Sequence, residues 1–176
     1  MGYQRRPSLV QRFMHPQLGA VRALRRAEAA RSGKGPLSKA RYALLRFRYA
    51  QVSRRIGMDV PLFVFGPGLS IAHPGTLIVN GHSRVGSCCR VHPGVTIGGD
   101  AHGAPVLGDN VFIGPNALII GKVVVGDGAV IGPGALVTRD VPANGVAYGQ
   151  RAQVDERNGQ AWNHPSSRLG PTHVNQ

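Results

Sequence analysis

The feature that most constrains this chain is a six-residue period running unbroken from Leu107 to Pro142. Read in sixes, the stretch is LGDNVF, IGPNAL, IIGKVV, VGDGAV, IGPGAL, VTRDVP. Leu107, Ile113, Ile119, Val125, Ile131 and Val137 open the sixes, and Val111, Ala117, Val123, Ala129, Ala135 and Val141 fill the fifth place. An aliphatic residue followed four places later by a small or β-branched one, six times over, marks a repeat architecture. Each six predicts a short strand and a turn, and three sixes predict one triangular coil. The first residue then points into the prism and the fifth sits at a crowded corner. Gly or Asn falls where the turn needs unusual backbone angles.

The period extends upstream. Phe65, Ile71 and Leu77 open sixes, Ser83 and Arg84 are two extra residues, and Val85, Val91 and Ile97 open three more. GGDAHGAPV at 98–106 interrupts the pattern. Twelve sixes thus span 65–142, about four coils. The interruption is polar and Gly-rich, and is expected to protrude as a loop rather than form a strand. Residues 143–154 are expected to leave the prism through Asn144, Gly145 and Gly149. The chain divides into a basic helical arm at 1–56, a prism at 57–154 and a polar tail at 155–176 expected to be disordered.

Charge is unevenly placed. The net charge is +13, and residues 1–56 hold 14 of the 21 Lys and Arg with one acid, Glu28. A short helix is expected over 17–31, ended by Gly33, Gly35 and Pro36. A second is expected over 37–56, with Tyr42, Leu45, Tyr49, Val52 and Ile56 as one apolar stripe and Arg41, Arg46, Arg48, Arg54 and Arg55 around it. That helix should dock on the open end of the prism. The segment before Gly33 should attract an acidic surface, either anionic lipid or an anionic polymer. No nucleic-acid motif accompanies the charge, so nucleic acid is not an expected partner. No apolar run reaches the roughly 18 residues of a membrane span. The first 30 residues lack an apolar signal core, which points to the cytoplasm, with peripheral attachment at the inner membrane face as the arm's contribution. Cys88 and Cys89 are neighbours and form no disulfide framework, and Cys89, in a fifth place, should face the core.

Several further features resemble the hexapeptide-repeat acyltransferases, and within them the serine acetyltransferase family and its polysaccharide-modifying relatives. Asp59 stands 14 positions before His73, the two extra residues Ser83 and Arg84 follow the third six, and Gly98, Gly99, Asp100, Ala101 and His102 open the interruption. The resemblance covers roughly residues 57–152. It implies a mainly-β fold, a left-handed parallel β-helix, assembled as a homotrimer. It implies acetyl-CoA as co-substrate and no metal. His73 would be the general base and Asp59 the carboxylate that orients it, because an alcohol needs a neutral imidazole to take its proton during attack. The oxyanion donor would be a backbone N–H or His102. Gly98, Gly99, Gly114, Pro115, Gly132 and Pro133 match positions along the coenzyme groove between subunits. Lys122, Arg139 and Arg151 are candidates for its phosphates.

Two departures bear on the acceptor. In serine acetyltransferases the residue before the catalytic His is an Asp that contacts the amino acid, and here it is Ala72. The loop Arg that would pair with the acceptor's carboxylate is Ala101. A saccharide or similar hydroxyl is therefore the expected acceptor, with serine as the alternative and a non-catalytic scaffold as a further one. The zinc-dependent γ-type carbonic anhydrases share the prism but need two closely spaced His. His92 and His102 are ten positions apart and out of register with His73.

Overall fold

The computed structural model describes residues 15–149. Two helices lead in, α1 (Pro16–Ala30) and α2 (Pro36–Arg55). Each begins with Pro in its first turn, where the missing N–H costs nothing. Gly35, at φ 93°, turns the chain between them.

The remainder winds into a prism of three parallel faces. The first face stacks β1 (Met58–Asp59), β3 (Leu77–Val79), β6 (Val95–Gly98), β9 (Leu118–Ile120) and β12 (Leu136–Val137). The second stacks β4 (Arg84–Val85), β7 (Val106–Leu107) and β10 (Val124–Val125). The third stacks β2 (Ser70–Ile71), β5 (Arg90–Val91), β8 (Phe112–Ile113), β11 (Val130–Ile131) and β13 (Val146–Ala147). The chain visits the faces in the order first, second, third, and repeats. It is a left-handed parallel β-helix of about five turns, one more than the twelve sixes account for. The extra turn comes from strands outside the hexad pattern, β1 at one end and β13 at the other. Residues 143–149 accordingly stay on the prism, where Val130 donates its N–H to Gly145 O at 2.9 Å.

The repeat places behave as their sizes require. Val91, Val95, Ile97, Ile113, Ile119 and Ile131 are wholly enclosed, as are Val111, Ala117 and Ala129 at the fifth place. Cys89 is also fully buried, and Cys88 beside it is exposed. At the edge between the second and third faces, Gly68, Cys88, Asn110, Gly128 and Asn144 form a column in the left-handed backbone region. Each N–H from Cys88 onward bonds to a carbonyl one coil below, as Asn110 N to Ser87 O at 2.8 Å. Asp side chains satisfy further edge N–H groups: Asp109 accepts from Ser87 N at 2.6 Å and Asp127 from Asp109 N at 2.7 Å. The Gly-Asp pairs of the repeat are therefore connectors between coils.

Both departures from the period fall on one edge, between the first and second faces. Asn80–Ser83 takes up the two extra residues, with Ser83 buried and its N–H on Asn80 O at 3.1 Å. Residues 99–105 form the next turn on that edge. This turn is tight: Asp100 N bonds Gly103 O at 2.8 Å, and Asp100 Oδ1 accepts from His102 N at 2.8 Å. Val106, inside the interruption, is already strand.

The described part of the segment before Gly33, α1, is packed on the prism rather than free. Gln17, Ala20, Leu24 and Ala27 are buried at helical spacing, and α1 lies against β2 while α2 lies against β1. Arg25 fixes the contact, donating to Phe65 O at 2.9 Å, to Gly66 O, and to Glu28 at 2.7 Å. Glu28 also accepts from Phe63 N at 2.7 Å. The packing follows from sequence: small residues let the helix approach closely, and one Leu fills the space between. Residues 1–14, part of the expected arm, and the tail at 155–176 lie outside the described residues.

Candidate active site

His73 stands at the edge between the third and first faces, in the turn after β2. The parallel register stacks this edge in columns. Ala72 N bonds Val91 O at 3.0 Å, His92 N bonds Ile113 O at 3.0 Å, Gly114 N bonds Ile131 O at 2.8 Å, and Gly132 N bonds Ala147 O at 2.7 Å. His92 is thus one coil beyond Ala72, and its ring centroid lies 6.4 Å from that of His73. On its other side the His92 ring meets Phe112 at 5.1 Å.

The two imidazoles differ in environment. His73 is exposed. His92 is half-buried, and its Nε2 is enclosed with no hydrogen-bond partner among the described residues. Desolvation by burial, then the Arg90 charge, then His73 push its pKa below the usual range. A neutral imidazole carries one donor and one acceptor nitrogen, and with Nε2 enclosed it is Nδ1 that remains for a ligand beside His73. Sequence reasoning did not assign His92 to the site. The signal was available, since His73 and His92 occupy the third and second places of sixes one coil apart. A second unassigned neighbour is Gln17, whose Nε2 donates to Ala72 O across a long 3.5 Å. Its Oε1 has no partner among the described residues.

The other expected residues distribute as follows. Asp59 is exposed on β1, paired with Ile78 in the next strand, and no hydrogen bond joins it to His73. Gly57, two residues before it, packs against Thr76 in the turn that carries His73. His102 lies on a different edge, at the tip of the 99–105 turn and exposed, so within one chain the first face separates it from His73. Gly98 ends β6 and Gly99 begins the turn at that same edge, and the Lys122 side chain packs beside Gly103. Gly114 and Gly132 are buried, and a Cβ on Gly114 would meet Pro133 N at 2.8 Å and Gly132 C at 3.0 Å. Their smallness is required by the stacking of coils. Pro115 is half-buried, while Pro133 and Arg139 are exposed. Arg151 lies outside the described residues. Among the described residues, no three His, Cys, Asp or Glu side chains converge as metal ligands.

The family model for bacterial transferase hexapeptide (six repeats) matches residues 104–139. A serine acetyltransferase of Helicobacter pylori is 30% identical over 148 residues, covering 81% of this chain and 82% of the relative. The chain belongs to the serine acetyltransferase family. A family member from Synechococcus elongatus is 33% identical over 98 residues, covering 53% of this chain and 40% of the relative. A chloroplastic one from Arabidopsis thaliana is 38% identical over 111 residues, 59% of this chain and 35% of the relative. The chain thus spans well under half the length of these two relatives. Among solved structures, the Neisseria gonorrhoeae serine acetyltransferase in complex with serine superposes with a TM-score of 0.62 at 30% identity, covering 80% of this chain and 57% of that one. A serine acetyltransferase in complex with CoA gives 0.62 at 26% identity, covering 78% and 56%.

Proposed function

We propose that this protein is an acetyl-CoA-dependent O-acetyltransferase and that its acceptor is serine. The observation that carries the reading is His73, an exposed imidazole at the edge of a serine acetyltransferase-family prism. In this reading His73 takes the proton of the acceptor hydroxyl as its oxygen attacks the thioester carbonyl of acetyl-CoA. The tetrahedral intermediate then expels the CoA thiolate, which recovers the proton from the imidazolium. Asp59 steadies that cation from the adjoining face. His92, kept neutral, bonds the acceptor beside the base.

His102, on the far edge, reaches the chemistry only from a neighbouring subunit, which favours a homotrimer with its sites between chains. Coenzyme would lie along the same junction, against Gly98, Gly99, Pro115 and Pro133, with Lys122 and Arg139, and Arg151 beyond the described residues, toward its phosphates. Gly114 and Gly132 would contribute by keeping the coils close. The relatives named above acetylate serine, and this weighs for serine over the saccharide suggested by sequence. The saccharide keeps a specific support: Ala72 and Ala101 leave no charged side chain at the places where the family recognises an amino acid. The cytoplasm is the expected compartment.

The test is release of thiol from acetyl-CoA with serine, monosaccharides and oligosaccharides as acceptors. Turnover with serine, lost in His73→Ala, is the expected result. Turnover with saccharides alone would favour the second reading. No turnover with any acceptor would leave the prism as a scaffold.

A further inference from the structure

We propose that α2 is the surface by which this protein docks on an anionic phospholipid bilayer. The proposal is independent of the acceptor. One side of α2 faces the molecule: Tyr49 is buried, and Leu45, Val52 and Ile56 pack against the core. The opposite side carries a second apolar row. Leu37 is 84% exposed, Leu44 57% and Phe47 61%, with Ala40 exposed between them. At 3.6 residues per turn, positions 37, 40, 44 and 47 share one stripe, roughly opposite the inward one.

Cations border that stripe on both sides, Arg41, Arg48 and Arg55 along one flank and Lys39, Arg46 and Arg54 along the other. No acidic residue occurs between Glu28 and Asp59. An apolar strip between two rows of cations is the pattern of a helix lying in a bilayer interface, its apolar side chains among the acyl chains and its cations at the headgroups. No described helix is long and apolar enough to cross a membrane, so the contact is peripheral.

Charge also separates this occupant from a second copy of the chain. Two α2 helices placed face to face would bring their cation rows together with no acid to offset them. Of the described part of the segment before Gly33, α1 is committed to the prism, and α2 presents the free face.

The experiment is co-sedimentation of the full chain with vesicles of phosphatidylcholine alone and of phosphatidylcholine mixed with phosphatidylglycerol, with light scattering in parallel. The wild type should sediment with the mixed vesicles only. The double variant Leu44→Ser, Phe47→Ser and the double variant Arg41→Gln, Arg48→Gln should each weaken that partitioning about tenfold or more, about 1.4 kcal/mol, with thiol release unchanged. The proposal is overturned if the wild type ignores mixed vesicles, or if both variants bind them like the wild type. A Leu44→Ser, Phe47→Ser protein that changes mass in solution, from a wild type that binds no vesicles, would identify a second copy as the occupant. Binding to soluble polyglutamate but not to vesicles would identify an acidic macromolecule.

Discussion

The rings of His73 and His92 meet edge to face, centroids 6.4 Å apart and planes inclined by 61°, although one coil of chain separates them. At this distance two imidazolium charges would repel each other, and the half-buried ring is the one held neutral. The pair is thereby divided into an exposed imidazole free to take a proton and a neighbour poised to hydrogen-bond.

Replacing the exposed member tests the chemistry. His73→Ala should lower turnover by about 10²–10⁴ while leaving the unfolding midpoint near that of the wild type. Steady-state thiol release and thermal unfolding, measured on the same preparation, check it. A variant with near-normal turnover would move the base to His92 or His102.

The neighbour should be visible in the pH dependence of stability. His92 has a depressed folded pKa, so the unfolded chain binds more protons between that value and about 6.5. Its contribution is therefore fully present above about pH 6.5 and lost as pH falls through the depressed pKa. Urea unfolding of the wild type and of His92→Asn across this range should show a shallower acid decline in the variant. Parallel curves would mean that the ring is not desolvated in solution.

Gly114 separates coil stacking from direct coenzyme contact. A Cβ there meets backbone at 2.8–3.0 Å, so Gly114→Ala should cost about 1–3 kcal/mol of stability. Unchanged stability with a raised KM for acetyl-CoA would instead mark Gly114 as a ligand contact.

Arg25 holds α1 on the prism through two carbonyls and Glu28. Arg25→Ala should destabilise the protein by about 2 kcal/mol, since hydrogen bonds to charged groups are worth more than neutral ones. Limited proteolysis should then cut first near the α1–α2 connection. Stability equal to wild type would show that α1 packs by its apolar face alone.

Assembly follows from the outer faces. Ile78, Leu118 and Leu136 stand exposed on the first face, and Val106 and Val124 on the second. Light scattering should return three times the 18.6 kDa chain mass. A monomer at assay concentration would remove the shared site and the role proposed for His102.

The repeat made much of this fold legible without coordinates. Inward residues of a six meet their own kind in the next coil, so a one-dimensional pattern fixes a three-dimensional column. That is why Val91, Ile113 and Ile131, and the small residues Ala117 and Ala129, could be assigned to the interior from their places alone. The left-handed column from Gly68 to Asn144 was foreshadowed by Gly and Asn, with Cys88 as the exception no turn rule selects. β1 and β13 were not legible, because strands at the ends of the prism pair on one side only and need not keep the hexad. The compactness of the 99–105 turn was hidden as well, since it depends on Asp100 bonding back to its own loop.

The sequence by itself determined the coil and the neutral prism beside a basic segment, and it offered His73 as the candidate base. Tertiary structure decided the rest. It placed both insertions on one edge, set His92 rather than His102 beside His73, bound α1 to the prism through Arg25, and turned the second apolar row of α2 outward. The physical reason is common to all four. A local period records which way a residue points within its own coil. Which residues meet across coils depends on how many residues each coil spends at its corners, and two coils here are longer than the period. Likewise α2 carries two apolar rows, and only contact with α1 and β1 selects the one that is buried.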